Sequence, residues 1–567
     1  MLYRILIGLL LTFSFLVIVY LLLTVRIVPA GPLTQYQSTV FNLAFYMPVS
    51  LWVAILVLAA LLIVIHFRGR KFMSVGTTYI VIFGICLTLI VVLRGLPYIV
   101  ETNPRFVDSW LHGRTAKGIL ETGTLQPDQF NYQAFPSSFI LLSALSLVSG
   151  IPITVLLWFI PVIFVVLFFS FLYLFSYNLF GKSKLASMVV LIYGLSTFGL
   201  GFHFSPETVG WLFFLLLLAY LLRNLNRSGG GPIGSRRDLL VVVILLAGIA
   251  TTHAVTQLTT VLVVAMLMLF AKRIWIAKAA FQNMFFILIL AVTLFSAWAT
   301  IFALTYSTSI ISQFVGAFKT VLSDFMSSVA AQPLQTRNPS EVSALLTYRQ
   351  ALYGVVLICS FIGGYLLWRR EKRKLVYFLA VLVASILAAP LTLFGILPLE
   401  RTIKVAFIPI SVLGAYLVVN KKRLGGLVLI ALLLTFPVNF ASLYWDEIGR
   451  STYFDWDIDS AKFIARDFNG IVLGQWRDTA VMDFYGNFDR VYNDYFLLGK
   501  RPDLFEMYNY SFIEAKGIGL VYITQLTTES AGERSGQTLT LGNFLNDPFL
   551  DCVYSNDYSA VLVRAQS

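Results

Sequence analysis

The chain has 567 residues, 58% of them hydrophobic and only 12% charged, with a mean hydropathy of +0.82. A soluble domain is about 25% charged, so this composition excludes a water-soluble protein and predicts an integral membrane protein. The net charge of +13 falls in short turns between apolar runs and makes no case for nucleic-acid binding.

A membrane span needs about 20 mostly apolar residues. Thirteen runs qualify in chain order: 2–25, 43–66, 76–97, 151–179, 186–203, 206–224, 238–252, 254–271, 281–305, 350–369, 374–397, 402–420 and 425–444. The first is too long for a signal-peptide core and reads as a retained anchor. Run 238–252 is short and runs straight into its hairpin partner. The run SSFILLSALSLVS (137–149), bounded by Pro136 and Gly150, is too short to span and is expected to be a half-depth or interfacial helix.

Charge tests this layout. With a cytoplasmic N-terminus, the turns assigned inside carry 21 Lys and Arg against two acids, Asp238 and Glu371. That asymmetry sets orientation in membrane proteins. A full span at 137–149 would reverse every later loop and destroy it. The stretch 98–136, the loop 306–349 and the tail from residue 445 are then extracytoplasmic. The tail turns acidic and aromatic. Its runs GIVLGQW (470–476), GIGLVYIT (517–524) and DYSAVLVR (557–564) read as strands alternating with helical pieces such as 457–468. The expected organisation is an N-terminal transmembrane hairpin (1–75), a transmembrane catalytic domain (76–444) and a small α/β domain (445–567). Cys86, Cys359 and Cys552 offer neither a disulfide framework nor metal-ligand spacing. Asn509-Tyr510-Ser511 is a glycosylation-type sequon in the tail.

The polar stretch NPRFVDSWLHGRTAKGILETG (103–123) stands out among these apolar runs. Pro104 ends the preceding span, and a helix is predicted from about Phe106 to Glu121, closed by Gly123. Asp108 and His112 are four residues apart and share a face, while Trp110 and Leu111 suit an interfacial seat. In the plainer alternative Asp108 caps the helix or pairs with Arg105, and His112 is a surface residue. Glu101, Glu121, Glu207 and Glu400 are further outward acids. The turns FHFSPETVG (202–210) and TTHAVTQ (251–257) place His203, Glu207 and His253 at outward span ends. Ionisable groups at membrane depth are costly and often functional, although a lone histidine in a turn more often has a structural role. Glu400, Arg401 and Lys404 lie in LPLERTIK (397–404), where a planar guanidinium suits phosphate or simply snorkels to the interface. The long 306–349 loop is of a length uncommon unless functional or disordered.

Three pieces, DSWLHGRTAKGILETG (108–123), FPSSFILLSALSLVSG (135–150) and LFGKSK (179–184), in that order, resemble the first external loop of the GT-C class of membrane glycosyltransferases. The nearest relatives in pattern are prokaryotic and archaeal proteins akin to dolichyl-phosphate-mannose–protein mannosyltransferases. The resemblance is strongest over 100–184 and extends over 70–444, with the first two spans as an added hairpin. It implies a GT-C-like polytopic α-helical fold and transfer of a sugar from a polyprenyl-phosphate donor to a glycan, lipid or protein acceptor outside the membrane. It implies Asp108 as the catalytic base beside His112. Arg401, Lys404 and Glu400 would bind the donor, and His203, Glu207 and His253 would line the substrate cavity. Ser109 follows Asp108 where many members carry a second acid, so no metal site is assigned; a divalent cation remains an unfavoured alternative. The tail lacks the tryptophan-tryptophan-aspartate motif of oligosaccharyltransferases. The competing reading is a transporter or lipid flippase. Such proteins tend to carry midplane polar sites, whereas here the polar residues collect at outward span ends.

Overall fold

The computed structural model describes residues 12, 14, 16, 47–72, 74–101, 103–125, 131–197, 202–228, 235–274, 278–304, 308, 340–388, 399–443, 455–467, 471–474, 481, 484, 485, 490–493, 520–524, 550–556 and 559–564. The predicted span 2–25, most of the 306–349 loop, the Asn509 sequon and the side chains of Glu400 and Arg401 lie outside the described residues.

The chain is a bundle of helices: α1 (Val49–Phe72), α2 (Val75–Val100), α3 (Val107–Thr122), α4 (Ser137–Ser149), α5 (Ile153–Phe180), α6 (Ser183–Ser196), α7 (Pro206–Ser228), α8 (Arg236–Thr252), α9 (Ala254–Ile274), α10 (Lys278–Ile301), α11 (Ser340–Ala388), α12 (Leu399–Asn420), α13 (Lys422–Leu434), α14 (Phe436–Leu443) and α15 (Asp455–Asp467). Seven stretches among the described residues are long and apolar enough to cross a membrane: Val49–Arg68, Val75–Leu96, Ile153–Phe180, Pro206–Arg223, Phe281–Ile301, Thr347–Lys372 and Ile403–Asn420. The predicted runs 186–203, 254–271 and 374–397 correspond to shorter apolar helices, Ser183–Ser196, Ala254–Phe270 and Lys374–Leu387. The run 137–149 is a 13-residue apolar helix.

α11 is interrupted at Glu371, whose backbone (φ −143°, ψ 56°) is not helical. Its first part lies alongside α12 in parallel. Tyr353 meets Phe407 at 5.0 Å, the Ser360 hydroxyl donates to the Ile410 carbonyl at 2.6 Å, and Arg370 Nη1 donates to Asn420 Oδ1 at 3.3 Å. The bundle therefore has two chemically distinct ends. At one, basic turns meet: Lys184 Nζ donates to the His66 carbonyl at 2.7 Å, and Lys374 Nζ stands 2.7 Å from Glu371 Oε2. At the other lie α3, α4 and the starts of α5, α7, α9 and α12. In the tail, strands β1 (Ile471–Gly474), β2 (Arg490–Asn493), β3 (Leu520–Thr524), β4 (Leu550–Asn556) and β5 (Ser559–Arg564) form one sheet in the order β2-β1-β3-β5-β4. β1 is parallel to both its neighbours, and β5 is antiparallel to β3 and β4. Ile458, Ala461 and Ile464 of α15, with Val481 and Phe484, join the same buried cluster as the bundle.

Candidate functional site

The loop between α2 and α3 is wired into the bundle before the site begins. Arg105 and Glu101 form an ion pair with both side chains 1% exposed. The Trp158 indole N–H donates to the Glu101 carbonyl at 2.8 Å, and that of Trp110 to the Pro104 carbonyl at 3.1 Å. The Arg105 guanidinium carbon sits 5.3 Å from the Phe106 ring centroid. Phe106 has φ 70° and ψ 137°, a region costing about 1–3 kcal/mol for a residue with a side chain and tolerated where surroundings enforce it. Here the enforcing contacts are the buried pair on one side and α3 on the other.

α3 starts directly after this strained residue and ends at Gly123, whose left-handed backbone (φ 67°) returns its N–H to the Ile119 carbonyl. Asp108 lies in the first turn and is half-exposed. Its Oδ2 stands 3.6 Å from His203 Nε2, and the His203 ring packs 5.1 Å from the Phe106 ring. His203 is held there by its neighbours. Phe202 packs against Phe168 and Phe169, and Phe204 packs against Phe164, so the residue between them is directed away from the core. Arg105, which the alternative reading pairs with Asp108, forms a buried ion pair with Glu101.

His112 is only 4% exposed and packs 5.5 Å from Phe139, so it is no surface residue. Burial pushes its imidazole down to about 4; the nearby Asp108 carboxylate opposes that shift, and His203 adds to it. Trp110 also departs from expectation. It is 1% exposed and packs 5.3 Å from Phe484 and 6.1 Å from Tyr485 rather than sitting at a lipid interface. The Lys117 ammonium donates to the Phe484 carbonyl at 3.0 Å. Gly113 makes this packing possible: a Cβ there would collide with Leu157 and come within 3.2 Å of Phe484 Cε2. Burial raises the Tyr485 hydroxyl, and Asp459 adds to that shift. On its other flank α3 is tied to α4, since the Ser143 hydroxyl donates to the Ala116 carbonyl at 2.7 Å.

Next to His203, α7 begins with Ser205 as N-cap, accepting from the Thr208 N–H at 3.1 Å, and Pro206 at the first helical position. Glu207 Oε1 receives Lys404 Nζ at 3.0 Å and the Trp211 indole N–H at 3.2 Å. The Tyr193 hydroxyl donates to the Lys404 carbonyl at 3.0 Å. Thus α7 and α12, far apart in sequence, are joined beside the Asp108–His203 pair. His253 caps α9, with Nδ1 accepting the Thr256 N–H at 3.3 Å. α7 passes it closely, because a Cβ on Gly210 would stand 3.3 Å from the His253 Cβ. The structure thus brings together Asp108, His112, His203, Glu207 and Lys404 at one end, with His253 adjoining in a capping role. Glu121 lies apart at the exposed end of α3, 3.8 Å from Lys117. Among the described residues no group of three or more His, Cys, Asp or Glu is placed to hold a metal ion. The pairing of Glu101 with Arg105, the backbone of Phe106 and the contacts of Phe484 and Tyr485 escaped sequence reasoning. Only the doublet of opposite charges four residues apart at 101 and 105 carried a local signal.

No protein-family model matches the chain, and no curated protein matches it in sequence. Among solved structures the fold is similar to that of the archaeal oligosaccharyltransferase AglB from Archaeoglobus fulgidus, a GT-C glycosyltransferase determined in complex with an inhibitory peptide and a dolichol-phosphate. The likeness has a TM-score of 0.53 at 13% identity, covering 78% of this chain and 69% of that one. It is a likeness of fold.

Proposed function

We propose that the protein is a membrane glycosyltransferase that moves a sugar from a polyprenyl-phosphate-linked donor to an acceptor hydroxyl outside the membrane, with Asp108 as general base. One observation carries the reading. In a chain with a GT-C-like fold, a half-exposed carboxylate stands at the bundle end, 3.6 Å from His203. A Asp108 carboxylate oxygen takes the proton from the acceptor hydroxyl while that oxygen forms its bond to the anomeric carbon. The bond from that carbon to the donor phosphate oxygen breaks, and the phosphate leaves with the electron pair. His203 stands beside the carboxylate and orients it, and His112, kept neutral by burial, lies behind it on the same helix. Lys404, held by Glu207, supplies a cation for the donor phosphate, and Arg401, in the same first turns of α12, is the second residue assigned to it. The prenyl chain stays in the bilayer, so the reacting carbon is confined to the membrane boundary, where α3 lies. A catalytic base must come within about 3 Å of the proton it removes, which a group deep in a span could not do.

In this reading the chain crosses the membrane thirteen times, the basic turns are cytoplasmic, and the tail sheet with α15 forms an extracytoplasmic α/β domain. Two experiments test it. Reconstituted Asp108→Asn should lose roughly 100- to 10,000-fold of labelled-sugar transfer while retaining donor binding; near wild-type turnover would remove Asp108 as base. A cysteine probe at Ser567 should react with an impermeant reagent from outside, and one at Ser235 should not; the reverse pattern would overturn the orientation and the site together.

A further inference from the structure

The basic end of the bundle carries a feature that sugar transfer does not use. On α11, Ile358, Phe361, Tyr365 and Trp368 recur at helical spacing and form one exposed stripe. Their exposures are 61%, 77%, 48% and 50%. The stripe ends in two cations: Arg369 lies 5.1 Å from the Tyr365 ring centroid and Lys372 lies 5.5 Å from that of Trp368. The acid of this turn, Glu371, is engaged elsewhere. Its Oε2 holds Lys374 at 2.7 Å, its Oε1 holds Lys182 at 3.8 Å, and the Tyr416 hydroxyl donates to Oε1 at 3.5 Å. The kink at Glu371 turns it toward α12 and the α5–α6 connection, leaving Arg369 and Lys372 with aromatic faces as their contacts.

We infer that this stripe is a binding site for an anionic phospholipid. Its phosphate is held between Arg369 and Lys372, and an acyl chain lies along Trp368, Tyr365, Phe361 and Ile358. Charge complementarity selects the headgroup. Basic side chains at the cytoplasmic surface attract anionic lipid, and here the neighbouring carboxylate is already neutralised by two lysines. Aromatic rings bearing cations mark the headgroup level, and the apolar residues below them supply the surface a lipid tail covers. The geometry fits a tethered phosphate better than a free one, because a soluble anion gains nothing from the stripe.

The full-length protein in nanodiscs of mixed phosphatidylglycerol and phosphatidylcholine provides the test, with co-purifying lipid counted by native mass spectrometry. Wild type should retain phosphatidylglycerol preferentially. Each cation at an anionic surface is worth about five-fold in binding, so Arg369→Gln with Lys372→Gln should cut that preference by roughly 25-fold. The charge-preserving pair Arg369→Lys with Lys372→Arg should keep most of it and controls for folding. Lys421→Gln, which removes an exposed lysine where α12 gives way to α13, should change it little. Undiminished preference in the double glutamine variant would overturn the inference, as would equal loss in Lys421→Gln. Displacement of the lipid by millimolar inorganic phosphate would show that the cations serve a free anion. None of these outcomes bears on sugar transfer, so this site and the proposed reaction stand or fall separately.

Discussion

The buried histidine of α3 makes the candidate site sensitive to acid, and the effect can be worked out. In an unfolded chain the imidazole titrates near 6.5, and in the fold burial holds it at about 4. Between those values the unfolded chain binds a proton that the folded chain refuses. Stability from this group is therefore fully present above about pH 6.5, is lost as the pH falls toward 4, and falls no further below that. The slope is about 1.4 kcal/mol per pH unit, and the window spans about 2.5 units, giving a loss of about 3 kcal/mol. His112→Gln keeps a polar side chain of similar length and removes the titration. Unfolding in detergent micelles should be measured for both proteins from about pH 7 to pH 4. Wild type should lose about 3 kcal/mol more than His112→Gln across that window, because acids remote from His112 are common to both. Parallel stability curves would show that His112 is not held neutral by burial, and its place beneath Asp108 would have to be redrawn.

Three further outcomes follow from other contacts. Glu101→Gln leaves the buried Arg105 guanidinium without its carboxylate and should cost about 3–5 kcal/mol, read by the same unfolding experiment; a cost below 1 kcal/mol would mean water reaches the pair. Phe106→Gly should be more stable than Phe106→Ala by about 1 kcal/mol or more, since both lose the ring and only alanine keeps the disfavoured backbone; equal stabilities would deny the strain. Arg401→Ala should weaken binding of a polyprenyl-phosphate donor far more than Arg337→Ala, and equal effects would reduce Arg401 to an interfacial anchor.

The helices were legible where hydropathy alone decides. The runs 43–66, 76–97, 151–179 and 206–224 overlap long apolar helices closely, because a lipid-exposed helix has no other composition open to it. The polar helix could be placed from Pro104 and Gly123, and its 107–122 extent falls within a residue or so of the expectation. The site itself was only partly legible. Asp108 and His203 are 95 positions apart and meet because two phenylalanines anchor the turn around His203, a packing fact with no periodic trace in the sequence. Lys404 was read as a donor-facing cation, but its partner, Glu207, is 197 positions away. Trp110 looked interfacial because an aromatic beside a charge is the usual interfacial signature; it is buried because Phe484 and Tyr485 from the tail cover it. Phe106 was invisible because positive φ is signalled by glycine, and here packing alone imposes it.

The same end of the bundle gathers helix starts. Asp108 lies in the first turn of α3, Glu207 in the first turn of α7, His253 caps α9, and Lys404 lies near the start of α12. These starts meet closely: Asp108 stands beside His203, Glu207 holds Lys404, and the Gly210 backbone passes His253. Each helix start presents roughly half a positive charge through its unsatisfied N–H groups. Two carboxylates, Asp108 and Glu207, offset part of that field and are stabilised by it in return. On the proposed reaction this arrangement has a direct use. The leaving phosphate gains charge as its bond to the sugar breaks, and fixed dipoles with a held ammonium are already aimed at the region where that charge appears. Preorganised groups of this kind need not reorient during the reaction, and this is why they favour the transition state over the ground state. It follows that the Glu207–Lys404 pair should act on transfer rather than only on folding. Glu207→Gln keeps a hydrogen-bonding oxygen for Trp211 but releases Lys404 from its ion pair. Such a variant should fold and bind donor, yet lose turnover by roughly ten-fold as the ammonium loses its fixed position. A variant with lowered donor affinity and unchanged turnover would assign Lys404 to ground-state binding alone.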